Sequence, residues 1–127
     1  MTKVRDLTTP MPQTIGFDIS VEKALAMMKE YACHHLPVLD GGKLVGVLSD
    51  RDLSMAWHGS GNIRAEHLVK DLMTDIPVVI DPSAEISTAI RTMLDNRINS
   101  LIVRAEENQP WGILTSTDLL RYVMDKA

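Results

Sequence analysis

The sequence predicts an α+β fold of two βαββα-like repeats, with small sheets packed together, helices outside and a pseudo-twofold axis relating the repeats. Two observations lead to this prediction: an internal repeat with a constant register, and the same order of strand and helix patterns in both copies. With 127 residues, the chain has room for one compact module of two such copies. One copy alone, at about 60 residues, would bury too little apolar surface to fold stably.

The internal repeat starts in a short lead segment. Lys3-Val4-Arg5-Asp6-Leu7 returns as Leu68-Val69-Lys70-Asp71-Leu72, a shift of 65 residues. After one inserted residue the shift becomes 66, so that Gly46–Leu53 matches Gly112–Leu119. The predicted domains are repeat 1 at residues 1–64 with a core at 7–58, and repeat 2 at residues 65–127 with a core at 72–125.

Each repeat shows the same succession of elements. A short strand behind a proline opens it, and a helix with a serine N-cap, two strands and a closing helix follow. The first repeat has a strand at 13–15, the cap Ser20, an apolar stripe of Val21, Ala24, Leu25 and Met28, strands at 36–39 and 44–48 joined by an Asp40–Lys43 turn, and a helix at 50–57. The second has a strand at 78–80, the cap Ser83, a stripe of Ile86, Ala89, Ile90 and Met93, strands at 100–104 and 111–114, and a helix at 117–124.

The composition excludes several classes of protein. A net charge of −4 argues against a nucleic-acid binder with a broad basic face. A single cysteine excludes an internal disulfide framework. No apolar run is long enough to span a bilayer and no signal peptide opens the chain, so we expect a cytoplasmic protein without membrane insertion. No nucleophile elbow, zinc-protease motif or phosphate loop occurs, so we expect no catalytic residues and no enzyme activity.

Two ordered sets of motifs carry a family resemblance. The first repeat contains His35-Leu36-Pro37-Val38-Leu39-Asp40, followed by Lys43-Leu44-Val45-Gly46-Val47-Leu48-Ser49-Asp50-Arg51-Asp52-Leu53. The second contains Ser100-Leu101-Ile102-Val103, followed by Trp111-Gly112-Ile113-Leu114-Thr115-Ser116-Thr117-Asp118-Leu119. In these motifs and their spacing the chain resembles the paired cystathionine-β-synthase (CBS) domain family over essentially its full length.

The resemblance implies a stand-alone tandem CBS module that senses an adenosine-containing ligand. Ligands of this family are AMP, ADP and ATP, and sometimes S-adenosylmethionine or NAD, held in clefts between the two repeats. No cofactor is required, because the adenine nucleotide acts as a regulatory ligand whose occupancy is passed to a partner enzyme or transporter. The alternative is a CBS pair without ligand that serves dimerisation or docking.

Each repeat contains a Ser/Thr-x-x-Asp unit at the start of its closing helix: Ser49 with Asp52, and Thr115 with Asp118. A carboxylate can accept both hydroxyl protons of a ribose, and a helix N-terminus offers amides and positive potential to a phosphate. The alternative is a capping box, in which the carboxylate only satisfies a backbone amide. The repeat-equivalent positions of the two units and the family resemblance favour ribose binding.

Cys33, His34 and His35 lie between the first helix and the first hairpin strand. By the resemblance, His34 or His35 binds phosphate and Cys33 lines the base. The alternative is a buried structural cysteine beside two surface imidazoles. We expect no metal site here, because adjacent strand residues point to opposite faces of a sheet.

The resemblance assigns further residues to the ligand. Arg51, in the first turn of its helix, and Arg97 are candidates for phosphate binding, although simple solvent exposure also explains Arg51. Two hydroxyl residues at the start of the second closing helix complete the phosphate set, Ser116 and Thr117. The residues implied to line the adenine are Thr14, Ile15, Cys33, Val79, Ile80 and Ile98.

We also expect a homodimer formed by exposed helix faces. Apolar residues cover more than one face of each closing helix, so that packing on a single sheet cannot bury them all. A true twofold axis added to the internal pseudo-twofold would close a flat disc of four repeats. The residues expected at this interface are Met27, Met28, Tyr31, Leu53, Met55, Trp57, Leu120, Tyr122, Val123 and Met124.

Overall fold

The computed structural model describes residues 1–10, 13–54, 67–75, 77–106 and 111–126. The chain divides into two compact units. The first-repeat unit is Gln13–Pro77, and the second-repeat unit combines Met1–Pro12 with Val78–Ala127. In chain order the elements are α1 (Val4–Leu7), β1 (Thr9–Pro10), β2 (Ile15–Gly16), α2 (Val21–Glu30), β3 (His35–Asp40), β4 (Lys43–Ser49), α3 (which begins at residue 50 and is described to residue 54), α4 (Val69–Leu72), β5 (Thr74–Asp75), β6 (Val79–Ile80), α5 (Ile86–Asn96), β7 (Ser100–Val103), β8 (Gly112–Thr115) and α6 (Ser116–Lys126).

Each unit is organised around one four-stranded sheet. The first-repeat unit has the strand order β2-β3-β4-β5, and the second-repeat unit has the order β1-β8-β7-β6. In both sheets one short strand runs parallel to the first strand of a hairpin, and the remaining neighbours are antiparallel. The predicted α+β class and the order of elements within each repeat are therefore confirmed.

The lead segment of each repeat packs in the unit built from the other repeat. α1 and β1, at the start of the chain, belong to the second-repeat unit, where the N–H of Val4 donates to the carbonyl of Ala84 at 2.9 Å. α4 and β5 belong to the first-repeat unit, where the N–H of Val69 donates to the carbonyl of Ile19 at 2.8 Å. Val4 and Val69 are fully buried. The compact units are therefore divided differently from the two sequence repeats.

The apolar stripes of α2 and α5 form part of the two cores, but they are narrower than predicted. Val21, Ala24 and Met28 are buried in the first-repeat unit, and their counterparts on α5 are buried in the second. Leu25 and Ile90 remain 48% and 36% exposed. Of the two middle residues of each stripe, only the alanine, Ala24 or Ala89, is buried in a core.

The first predicted N-cap is confirmed and the second is wrong. Ser20 accepts a hydrogen bond from the N–H of Lys23 at 3.2 Å, at the start of α2. Ser83 instead donates its N–H and its hydroxyl to Asp81 Oδ1, at 2.9 and 2.6 Å. The N-cap of the helix is Glu85, two residues after Ser83, and the helix begins at Ile86. These bonds close a turn around Asp81 and, with the hydroxyl as the larger cause, hold the pKa of Asp81 below its ordinary value.

The hairpin between β3 and β4 turns where the sequence predicts it. Gly41 and Gly42 have φ angles of +59° and +85°, which are left-handed conformations that glycine adopts without strain. Asp40 pairs with Lys43 across the turn. The turn between the corresponding strands of the second repeat, predicted at 100–104 and 111–114, lies partly outside the described residues.

Repeat-equivalent glycines let the lead strands approach their sheets closely. A Cβ added at Gly46 would lie 2.8 Å from the carbonyl oxygen of Thr74, and one at Gly112 would lie 2.5 Å from that of Thr9. Real Cβ atoms essentially never come within 3.0 Å of another heavy atom. Glycine is therefore required for the pairing of β5 with β4 and of β1 with β8.

Candidate functional site

The Ser49 unit lies where β4 ends and α3 begins. The N–H of Ser49 donates to Oδ2 of Asp52 at 2.9 Å, and the N–H of Asp52 donates to the hydroxyl of Ser49 at 3.0 Å. This reciprocal pair is a capping box. The hydroxyl of Thr74, on β5, donates to the other oxygen, Oδ1 of Asp52, at 3.2 Å. Thr74 is a contact of the predicted site that sequence reasoning missed.

The Thr115 unit occupies the equivalent place where β8 meets α6. The N–H of Thr115 donates to Oδ2 of Asp118 at 2.9 Å, and the N–H of Asp118 donates to the hydroxyl of Thr115 at 3.3 Å. The Thr115 hydroxyl also lies 3.0 Å from the same Oδ2 and donates to it. Both Ser/Thr-x-x-Asp sequences therefore form a capping box. A carboxylate has about four lone-pair sites, so capping leaves acceptor capacity for ribose hydroxyls.

Backbone hydrogen bonds bring the segment before each hairpin to the start of the closing helix. The N–H of Asp50 donates to the carbonyl of His34 at 2.9 Å, and the N–H of Ser116 donates to the carbonyl of Asn99 at 2.9 Å. The strand register adds to this arrangement, because His35 pairs with Ser49. The predicted ribose and phosphate residues of one repeat are therefore neighbours in one unit.

His34 forms a contact that the sequence did not reveal. Its ring Nδ1 lies 2.9 Å from Oδ2 of Asp50, and both side chains are largely exposed. An exposed pair of this kind contributes about 0–1 kcal/mol to stability. Asp50 places a negative charge beside the imidazole that was predicted to bind phosphate, so His34 and phosphate would share this position with an acidic group.

The predicted adenine-lining residues differ in their exposure. Ile15 and Ile80 are 5% and 7% exposed and belong to the two cores. Thr14 is half-buried, and Val79 is 52% exposed. Thr14 and Val79, which occupy equivalent positions before β2 and at the start of β6, therefore offer more surface to a ligand than the two isoleucines.

Cys33 and Ile98 are half-buried at equivalent positions after the first helix of each repeat. Their N–H groups donate to the carbonyls of Met28 and Met93, both at 3.0 Å. Each side chain packs against the core of its own unit. Burial raises the pKa of the Cys33 thiol, so this side chain is an apolar wall and a poor nucleophile near neutral pH.

The remaining phosphate candidates lie around the helix starts. Arg51 and Thr117 are exposed in the first turns of α3 and α6, and Ser116 is half-buried. Arg97 ends α5 with a left-handed φ of +55°, and Ala32, its counterpart after α2, has a φ of +51°. The side chains of Arg51 and Arg97 are therefore exposed. Exposure is compatible with phosphate binding and, for Arg51, also with the alternative of simple solvent exposure.

The second-repeat unit contains an apolar cavity of about 280 Å³ between α5 and α6. Among the described residues that line it, Ser116 has the one polar side chain, so the cavity reaches the start of α6. Leu94 and Leu120, on its rim, are 72% and 69% exposed. The residues that line the cavity are Ile90, Met93, Leu94, Ile98, Ser116, Leu119, Leu120 and Val123.

The structure corrects two residues of the predicted dimer interface. Met28 and Leu53 are 7% and 4% exposed, because both pack into the core of the first-repeat unit, and they have little surface left for a partner. Met55 and Trp57 lie outside the described residues. Tyr31, Leu120, Val123 and Met124 are 47%, 69%, 51% and 70% exposed, and Met27 and Tyr122 are half-buried.

The described ranges contain neither a metal-binding cluster nor a membrane-spanning helix. In those ranges no three His, Cys, Asp or Glu side chains are grouped so that they could hold a metal ion. No helix in the same ranges combines the length and the apolar character needed to cross a membrane.

A family model of the CBS domain matches residues 4–59 and 69–125. The chain therefore belongs to the CBS domain family and contains a tandem pair of these domains. It is 34% identical over 116 residues to an inosine-5′-monophosphate dehydrogenase of Korarchaeum cryptofilum, a match that covers 91% of this chain and 22% of the relative. The chain spans about a fifth to a third of the length of the first curated relatives that it matches.

Solved CBS structures share this fold. CBSX2, solved in complex with AMP, superposes with a TM-score of 0.79 at 28% identity, covering 98% of both chains. The CBS domain pair of protein MJ0100, solved with 5′-methylthioadenosine and S-adenosyl-L-methionine, gives a TM-score of 0.81 at 23% identity and covers 100% of this chain and 99% of its own. The family resemblance predicted from the motifs is confirmed.

Proposed function

We propose that the chain is a cytoplasmic regulatory module that binds an adenosine-containing nucleotide of the AMP, ADP or ATP class and passes its occupancy to a partner protein. The observation that carries this proposal is the repeated placement of a Ser/Thr-x-x-Asp unit beside the segment that precedes each hairpin. CBSX2, a CBS protein 28% identical to this chain, was solved with AMP, which supports an adenosine ligand here.

The proposed chemistry divides one nucleotide among three groups of residues. Asp52 or Asp118 accepts the ribose hydroxyls, because an ionised carboxylate is an acceptor with spare lone pairs. The adenine lies against mainly apolar side chains of its unit: Thr14, Ile15 and Cys33, or Val79, Ile80 and Ile98. The phosphates lie near the basic and hydroxyl residues, which are His34, His35 and Arg51 in one unit and Arg97, Ser116 and Thr117 in the other.

Calorimetry with AMP, ADP, ATP, S-adenosylmethionine and NAD tests this proposal. We expect Asp52→Ala and Asp118→Ala each to weaken the site that it belongs to by about 1.5–3 kcal/mol, or roughly tenfold to a hundredfold. Asp52→Asn and Asp118→Asn repeat the test with an oxygen still available to accept the capping N–H. Asp71→Asn is the matched control, since Asp71 caps the short helix α4 in the same way, through the N–H of Leu68 at 3.1 Å.

Two results contradict the proposal in different ways. Undiminished nucleotide affinity in the Asp52/Asp118 double variant refutes the assignment of the ribose residues. A wild-type protein that binds none of the five compounds supports the alternative, a CBS pair without ligand that serves dimerisation or docking.

We also propose that the chain forms a homodimer through α5 and α6. The cavity between these helices and the exposed leucines on its rim provide both a groove and a ridge on one surface, as a self-complementary twofold contact requires. Light scattering is expected to give about 28 kDa, twice the 14.1 kDa of the chain. Leu120→Asp should shift the protein toward the monomer, because it would bury an unpaired charge.

Thr88→Asp is the matched control for this dimer. It adds the same charge to an exposed position of α5 that does not line the cavity. A wild-type species of 14 kDa at micromolar concentration, or equal effects of the two substitutions, would refute the proposed interface.

A further inference from the structure

The two proposed ribose carboxylates have the same backbone partners but different side-chain partners. In both, Oδ2 accepts the N–H of the residue three positions earlier, at 2.9 Å. Asp52 also accepts the hydroxyl of Thr74, at 3.2 Å on Oδ1 and at 3.5 Å on Oδ2. Asp118 receives the hydroxyl of Thr115 on Oδ2, and from the residues that the structure describes its Oδ1 accepts no side-chain hydrogen bond.

This difference matters because a ribose donates two neighbouring hydroxyl groups. Asp118 has an oxygen whose lone pairs are not engaged by a described side chain, and a ribose can bind there without displacing a protein group. At Asp52 the Thr74 hydroxyl takes one of the two lone-pair sites of Oδ1, so both ribose hydroxyls can bind this oxygen only by competing with Thr74. The gain from a new hydrogen bond is then offset by the loss of an existing one.

Register explains why Thr74 can reach this carboxylate. Thr74 pairs with Val47 on β4, two residues before the Ser49 cap, so its side chain lies beside the start of α3. Thr9 holds the equivalent position opposite Ile113. In the second-repeat unit, however, the hydroxyl that donates to the carboxylate belongs to Thr115 itself and engages the oxygen already used for capping.

We propose that Thr74 is a positioning residue whose hydroxyl occupies the Asp52 carboxylate, so that an adenosine ribose binds first at the Asp118 site. This inference rests on the proposed function. A ribose that donates both hydroxyls to Oδ1 of Asp52 must displace the Thr74 hydroxyl from it. Thr74 lies on β5, which belongs to the lead segment of the second repeat. Binding at Asp52 therefore releases a contact between the closing helix of one repeat and the lead segment of the other.

Calorimetry with adenosine and with AMP on single-site variants tests this inference. Asp118→Asn weakens the Asp118 site, so that the Asp52 site can be measured, and adding Thr74→Val to it should raise the affinity of the Asp52 site for adenosine about three- to tenfold, because one competing donor is removed without a change of shape. Adding Thr74→Ser, which keeps the hydroxyl, should leave the affinity at the level of Asp118→Asn alone. If Thr74 had only a structural role, Thr74→Val would not raise the adenosine affinity while Thr74→Ser left it unchanged.

The matched control uses the other unit. Adding Thr9→Val to Asp52→Asn, which weakens the Asp52 site, should change the adenosine affinity of the Asp118 site less than twofold. If Thr74→Val lowers the affinity of the Asp52 site or leaves it unchanged while adenosine still binds, the inference is refuted and the proposed function stands. If the wild type binds neither adenosine nor AMP, both are refuted.

Discussion

The two units are equivalent in backbone structure and differ in the chemistry at the start of the closing helix. Hydrogen bonds of 2.9 Å tie Asp50 to the carbonyl of His34 and Ser116 to that of Asn99. The side chains at the same places are imidazole and carboxylate in one unit, and amide and hydroxyl in the other. The same main-chain hydrogen bond therefore occurs in both units, with ionisable side chains at its two residues in the first-repeat unit and neutral side chains in the second-repeat unit.

This comparison shows which parts of the repeat are constrained by folding. Capping boxes, left-handed residues after the first helix and glycines below the lead strands occur at equivalent positions in both units. Each of them satisfies a backbone group or prevents a clash, so neither unit can omit it. Side chains such as Arg51 and Thr117 are exposed and satisfy no buried backbone group, so folding does not constrain them in this way.

The largest effect that we expect from breaking this equivalence is at the two close-approach glycines. Gly112→Ala should destabilise the protein by about 3 kcal/mol, because its Cβ would meet the Thr9 carbonyl oxygen at 2.5 Å and Thr8 Cγ2 at 2.4 Å. Thr8 cannot easily move, since its hydroxyl donates to the carbonyl of Val4 at 2.8 Å. Chemical denaturation with matched m-values measures the loss.

Gly46→Ala is the paired measurement, and we expect about 1–2 kcal/mol of destabilisation. Its nearest neighbour is the flexible Met73 side chain at 2.7 Å, and the Thr74 carbonyl oxygen follows at 2.8 Å. Gly16→Ala is the control, since its closest contacts are side-chain atoms at 3.2 Å and can adjust. A loss at Gly46 equal to or larger than that at Gly112 would show that main-chain proximity does not control these positions.

Patterns local in sequence predicted most of the fold. The repeat register predicted the hairpin and the helices of each repeat. Gly41 and Gly42 identified the turn of the first hairpin, because a turn depends on the conformational freedom of its own residues. The exchange of lead segments was not predicted. β1 and β5 have only two residues each, and their partners lie far along the chain, so periodicity holds no information on their pairing.

In the candidate site, too, contacts between residues close in sequence were predicted and contacts between distant residues were not. The Ser/Thr-x-x-Asp units were recognised because their residues are three positions apart, and the structure shows that they cap helices. Thr74 and Asp50 were missed, since their contacts with Asp52 and His34 depend on strand register over separations of 22 and 16 residues. Ser83 was assigned as a cap because the sequence does not show that Asp81 would form a tighter turn before the helix.

The smallest effect that we expect concerns the equivalent left-handed residues, Ala32 and Arg97, whose φ angles are +51° and +55°. Any residue with a Cβ is strained in this conformation by roughly 1–2 kcal/mol, and glycine offsets part of its own gain through the entropy of the unfolded chain. Ala32→Gly and Arg97→Gly should therefore each stabilise the protein by about 0.5–1 kcal/mol, measured by chemical denaturation. Ala26→Gly, at an exposed position inside α2, is the control and should destabilise by about 1 kcal/mol. Equal signs for Ala32→Gly and Ala26→Gly would mean that helix propensity outweighs the backbone strain, and stabilisation at Ala32 alone would mean that the Arg97 side chain itself supports the end of α5.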